Sequence, residues 1–210
     1  MGALVALQES KMKLMSSPTS PFVRKVRILI REKGATARVE EIVVSALADP
    51  AELHAANPLG KVPALVLDDG TTFFNSPLIC QFLDEELGGA RLLPAAGKPY
   101  FRDMRLQTIG DGISEAAVSR TFEKARPEAE RSAMWTARWE RAITRALDLL
   151  EADAGALDGE PTLGTIAVFC ALGYLDLRHG DMNWREARAK LATFYDKNSG
   201  RPAFKETAPA

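Results

Sequence analysis

"NPLGKVPALVLDDGTTFFNSPLICQFLDEEL" (Asn57–Leu87) is the stretch that decides the fold. Its apolar run Val62–Leu67 leads to Asp69-Gly70, a dipeptide suited to a hairpin turn, and Thr71–Phe74 carries the chain back. Ser76–Leu87 then reads as an amphipathic helix, with Ser76 at the cap and Pro77 in the first turn. Upstream, "KMKLMS" (Lys11–Ser16) is a short apolar strand ending in a hydroxyl residue. The spacing Phe22, Val26, Leu29, Ile30 predicts a helix that starts at Ser20-Pro21 and stops at Gly34. "ARVEEIVV" (Ala37–Val44) reads as a second strand, and Asp49–Pro58 as a short helix capped by Asp49 with Pro50 at its first position. The order is β-α-β-α-β-β-α, an α/β unit whose sheet is mixed because its last two strands form a hairpin.

Downstream the character changes. Gly88–Pro99 is rich in glycine, proline and alanine and reads as a linker, and no strand signal follows it. Helices are predicted over 100–125 and 128–155, separated at Pro127, then over the strongly apolar 162–178, with shorter ones within 184–198. The chain therefore divides into an α/β domain (12–87), a linker (88–99) and an all-α domain (100–207). Residues 1–11 are expected to be a flexible lead. Their five-residue apolar run has no positive charge before it, which makes a poor secretory signal. No stretch approaches the roughly 18 apolar residues of a membrane span.

Lys and Arg total 27 against 28 Asp and Glu, so the net charge of −1 gives no reason to expect nucleic acid or an anionic membrane as partner. Cys80 and Cys170 make no disulfide framework and show no metal-ligand spacing, so no metal is expected and a reducing, cytoplasmic setting fits. Both cysteines lie in apolar helical stretches and read as inert core residues. His54 and His179 read as surface or packing residues.

Three segments can carry chemistry. In "SSPTSPF" (Ser16–Phe22) the Ser20-Pro21 pair is a standard helix start. A strand running into a helix N-terminus also offers free amides and a positive dipole end to an anion, and a hydroxyl there can donate as well as accept. At Val62-Pro63 a cis peptide would turn the Val62 main chain outward to pair with an extended peptide; the alternative is a proline that merely starts an edge strand. Ser76-Pro77 repeats the serine-proline start and could hold a carboxylate, or be a plain cap. A small acidic peptide would use all three.

These segments resemble the glutathione transferase family. "SPFVRKVRILIREKG", "NPLGKVPALVLDDG" and "NSPLICQFLDE" match in order and at the expected spacing, and the likeness runs from about Met12 to "RPAFKET" (Arg201–Thr207). It is nearest to bacterial members and to the serine-type arrangement of the tau class; omega-like members place a cysteine at the position of Ser20. The resemblance implies a thioredoxin-like domain followed by an all-α domain. It implies Ser20 as the catalytic hydroxyl, with Thr19 and Ser17 as fallback donors, and Val62, before the cis-proline Pro63, as the main-chain partner of the cysteinyl unit of glutathione. It also implies Lys61 near the glycine carboxylate and Ser76 on the γ-glutamyl carboxylate. Asn75 stands where members usually carry Glu or Asp; an amide can hydrogen-bond the γ-glutamyl ammonium but not neutralise it. Asp111 lies on the helix lining the family's cleft and is a candidate contact for the second substrate, although its polar surroundings also suit a solvated role. Thr162-x-x-Thr165 replaces the family's Ser/Thr-x-x-Asp capping box, so the reciprocal bond to the Thr162 amide is expected to be weakened or lost. A homodimer is implied as well.

The implied chemistry follows from acidity. A free thiol has a pKa of about 8.5, so little of it is thiolate at neutral pH. A hydrogen bond to a charged group gives about 1.5–3 kcal/mol and a helix end up to about 1, together enough to lower that pKa by about one to three units. Ser20 is too weak an acid to serve as base, so its role would be donor to the thiolate of the co-substrate glutathione. That thiolate then attacks a small apolar electrophile. The competing reading keeps the fold as a non-catalytic ligand- or partner-binding scaffold, towards which Asn75 and the altered capping box lean.

Overall fold

The computed structural model describes residues 11–209, so the expected lead lies, apart from Lys11, outside the described residues. Strands β1 (Met12–Ser16), β2 (Val39–Val43), β3 (Ala64–Val66) and β4 (Thr72–Phe74) form one sheet in the order β2-β1-β3-β4. β1 runs parallel to β2, as strands joined through a crossover helix must, and the β1–β3 and β3–β4 pairs are antiparallel. The hairpin turn is the one the sequence predicts: Gly70 sits at φ 85°, and the Thr71 amide donates to Asp69 Oδ1 at 2.8 Å. Helices α1 (Pro21–Glu32), α2 (Ala51–Ala56) and α3 (Ser76–Glu86) complete the N-terminal domain. The second domain consists of α4 (Gly97–Ala125), α5 (Ala133–Ala152), α6 (Leu163–Arg178), α7 (Ala189–Ser199) and α8 (Pro202–Glu206).

Helix α1 is shared between the domains. Eight of its 12 residues are buried. Val26, Leu29 and Ile30 pack with Leu14, Leu65, Ile79 and Leu83 beneath the sheet. Ile28 packs with Ile166, Phe169 and Phe204 of the helical domain. On the other side of that contact α6 is buried continuously from Leu163 to Leu175, which explains its lack of amphipathic patterning. The linker is pinned rather than loose. Buried Asp84 accepts from the Leu92 and Leu93 amides (2.9 and 3.0 Å) and pairs with Lys33 at 2.7 Å.

Local capping departs from the sequence reading in several places. Helix α4 starts at Gly97, inside the expected linker, because Pro99 is harmless in a first turn. Ser132 caps α5 through the Trp135 amide (3.3 Å), which moves that start from 128 to 133. Asp49 does not cap α2. It sits at φ 53° with its carboxylate 2.6 Å from His54 Nε2, and Pro50 takes the cap position. The capping box of α6 is intact: the Thr165 hydroxyl accepts from the Thr162 amide at 2.8 Å, and Thr162 Oγ1 accepts from the Thr165 amide at 3.2 Å. A threonine hydroxyl thus performs the reciprocal bond expected to be lost.

His179 is a packing residue of a particular kind. It is fully buried, with Nε2 2.8 Å from the Ala117 carbonyl and Nδ1 facing the Arg120 guanidinium. Arg120 in turn holds Glu140 and Asp181. Burial pushes the His179 pKa down, and the charges of Arg120 and Lys124 add to this.

Two outcomes follow. Gly110 lies where a Cβ would stand 2.6 Å from the Ala167 backbone carbon, whereas Gly112 on the same helix has nothing within 4 Å. Chemical denaturation should therefore show Gly110→Ala destabilising by about 1–3 kcal/mol and Gly112→Ala stabilising by about 0.5–1 kcal/mol. For His179 the unfolded chain takes up the proton first, so stability is present above the unfolded pKa of about 6.5 and is lost as pH falls through it. Denaturation between about pH 7.5 and 5 should show a shallower loss for His179→Gln than for the native chain.

Candidate functional site

The sheet register brings the three segments together. Met15 pairs with Ala64 and Ala64 with Phe74, so continuing each strand by a residue sets Pro63 beside Ser16 and Asn75. The end of β1, the start of β3 and the end of β4 thus open on one edge of the N-terminal domain, and α1 and α3 both start there.

Ser20 is the N-cap of α1, half-buried, with its Oγ accepting from the Val23 amide at 3.3 Å and its own amide donating to the Ser17 carbonyl at 3.2 Å. Accepting uses a lone pair and leaves the hydroxyl hydrogen available, and no acceptor for it lies among the described residues. Thr19 and Ser17 are half-buried in the same loop.

The Val62-Pro63 peptide is cis. β3 lies between β1 and β4, so Pro63 precedes an interior strand and the edge-strand alternative is overturned. Neither the amide nor the carbonyl of Val62 is hydrogen-bonded among the described residues. Asn57, which sequence reasoning passed over, positions this loop: its Nδ2 donates to the Lys61 carbonyl (2.7 Å) and its Oδ1 accepts from the Leu59 amide (3.0 Å). The only signal for it was the "NPLG" turn itself. The Lys61 side chain is exposed beside the loop.

At α3 the cap is Asn75, not Ser76. Asn75 adopts φ 74°, ψ 117°, its side chain makes no capping bond, and Ser76 becomes the first helical residue. A φ in the left-handed half of the map is uncommon for a non-glycine residue and is best tolerated by Asn and Asp. Ser76 is only 2% exposed, yet its Oγ has no hydrogen-bond partner. A buried hydroxyl without a partner costs about 1–3 kcal/mol, so it marks a position that a ligand's polar group would complete.

Asp111 is half-buried and paired. Both of its carboxylate oxygens accept from Lys25 Nζ, at 2.7 and 2.8 Å, and Lys25 is 1% exposed. The pair ties α1 to α4. Lys25 was hidden from sequence reading because a lysine on a helix is ordinarily solvated. Cys80 and Cys170 are buried, and desolvation pushes both thiols up to about 12, which suits inert packing. Among the described residues no cluster of three or more His, Cys, Asp or Glu could hold a metal, and no helix is long and apolar enough to cross a membrane.

The chain matches known proteins across both domains. Residues 19–86 match the glutathione S-transferase N-terminal domain, and residues 133–197 match the C-terminal domain. The chain is 36% identical to "Uncharacterized GST-like protein YibF" of Escherichia coli (strain K12), over 94% of this chain and 98% of that protein. Among solved structures it is similar to a glutathione transferase family member from Pseudomonas fluorescens Pf-5 with bound glutathione. The TM-score there is 0.93 at 38% identity, covering 95% of this chain and 100% of the other. A second structure from that species, with bound S-(propanoic acid)-glutathione, gives a TM-score of 0.87 at 38% identity, covering 94% and 99%.

Proposed function

This chain belongs to the glutathione S-transferase family, and on that footing we propose that it is a glutathione transferase that activates the thiol of glutathione for attack on a small electrophile. The observation that carries the reading is the buried, unpartnered hydroxyl of Ser76 at the edge where Ser20 and the Val62 loop converge. Ser76 would receive the γ-glutamyl carboxylate, and Asn75 the neighbouring ammonium. The free amide and carbonyl of Val62 before Pro63 would pair with the cysteinyl unit, with Lys61 reaching the glycine carboxylate. The sulfur then lies by the α1 N-terminus, where the spare hydrogen of Ser20 is donated to the thiolate and the helix end favours the anion. The thiolate attacks the electrophile's carbon and the leaving group departs with the bonding pair. The reading also takes the protein as a cytoplasmic homodimer engaged in detoxification. Asn75 favours the scaffold alternative, but the intact α6 capping box removes the other argument for it.

Conjugation of glutathione to an activated chloroarene tests the assignment. Ser20→Ala should lower kcat/KM by about ten- to hundredfold, the equivalent of one charge-assisted hydrogen bond, and change the glutathione Kd little. Ser76→Ala should instead weaken glutathione binding by about tenfold. Retention of glutathione by the native chain with no turnover of any electrophile would favour the scaffold.

A further inference from the structure

The Lys25–Asp111 pair joins the helix that carries Ser20 to α4, and the proposed chemistry leaves it unused. Lys25 Nζ donates to both carboxylate oxygens, at 2.7 and 2.8 Å, with the two side chains 1% and 17% exposed. Taking two charges out of water costs about as much as their attraction returns, and an apolar pair of similar volume is often the more stable choice. Stability alone therefore does not account for the pair. What it adds is direction: apolar attraction is non-directional, whereas an N–H···O bond fixes both separation and angle.

Helix α1 has a use for such a contact. A small turn about the helix axis is the motion that non-directional contacts on its two faces oppose least. A turn of about 15° carries a group about 4 Å from the axis through about 1 Å, and a misplacement of about 1 Å can cost about a hundredfold in rate. Lys25 lies five residues beyond Ser20, about 7.5 Å along the axis, so a tether at one position sets the rotation at the other.

The pair also stands close to the site. Cys170 lines a recess together with Ser20 and Thr19. Burial pushes the Cys170 thiol up, Arg24 and Lys25 pull it down, and Asp111 pushes it up again. The two charges of the pair thus act on that sulfur in opposite senses, and removing both together leaves the local field little changed.

We propose that Lys25 and Asp111 are positioning residues: their bond sets the rotation of α1 and so aims the Ser20 hydroxyl at the sulfur of glutathione. This rests on the transferase reading and replaces the substrate contact expected of Asp111 from sequence. Both residues act through Ser20.

Combining Lys25→Met with Asp111→Leu puts an apolar contact in place of the bond. Chemical denaturation should show this variant at least as stable as the native protein. Conjugation of glutathione to an activated chloroarene should nonetheless fall about tenfold in kcat/KM, with the glutathione Kd little changed, and the ionisation midpoint of the bound thiol should rise by about one unit. Added to Ser20→Ala, the double replacement should cause no further fall, since it works through that hydroxyl. Native kcat/KM in the apolar variant overturns the proposal and leaves the transferase reading standing. A fall that multiplies with that of Ser20→Ala also overturns it and makes the pair a strut. If Ser20→Ala itself turns over like the native protein, the assignment of Ser20 fails and the proposal with it. Should the apolar variant not fold, Asp111→Ala, at the more exposed partner, is read by the same comparison with Ser20→Ala.

Discussion

The burial of α1 on both of its faces is the constraint on which the site depends. One face closes the sheet through Val26, Leu29 and Ile30, and the other is covered by α6 and α8 through Ile28. A helix held this way cannot slide or tilt without opening one core or the other, because interiors are close-packed. Its N-terminus, with Ser20, is therefore fixed relative to β3 and to the start of α3. The helical domain is part of what aims Ser20, although it contributes no residue to the proposed glutathione contacts.

The same double burial brings two cations indoors. Lys25 meets Asp111 of α4 at 2.7 Å, which links the domains in one register. A buried ion pair adds little net stability, but removing either partner leaves an uncompensated charge. Arg24, facing α6, has no carboxylate partner and is held instead by the Phe204 carbonyl and the Phe169 ring.

Much of this was legible in the sequence. Apolar runs, β-branched residues and helical spacing located the strands and the main helices, and Asp69-Gly70 gave the hairpin and hence the mixed sheet. The serine-proline starts marked both helix N-termini of the site. What was hidden depends on contacts between distant residues. Composition cannot show that Lys25 is buried, that Asp49 turns to His54 instead of capping, or that a threonine hydroxyl at 165 completes a box usually closed by a carboxylate. Ser76 was read as a cap, yet the φ of Asn75 shifts the cap by one residue and leaves the serine hydroxyl buried and unpaired. The start of the helix was legible and its capping residue was not, because a single backbone dihedral decides between them.

The enzymatic account reduces to the ionisation of one sulfur beside one hydroxyl. Following the ultraviolet absorbance of the thiolate against pH, with glutathione bound to the native protein, measures this directly. The account predicts a midpoint about one to three units below the free thiol's value of about 8.5. A midpoint unchanged from free glutathione would contradict it.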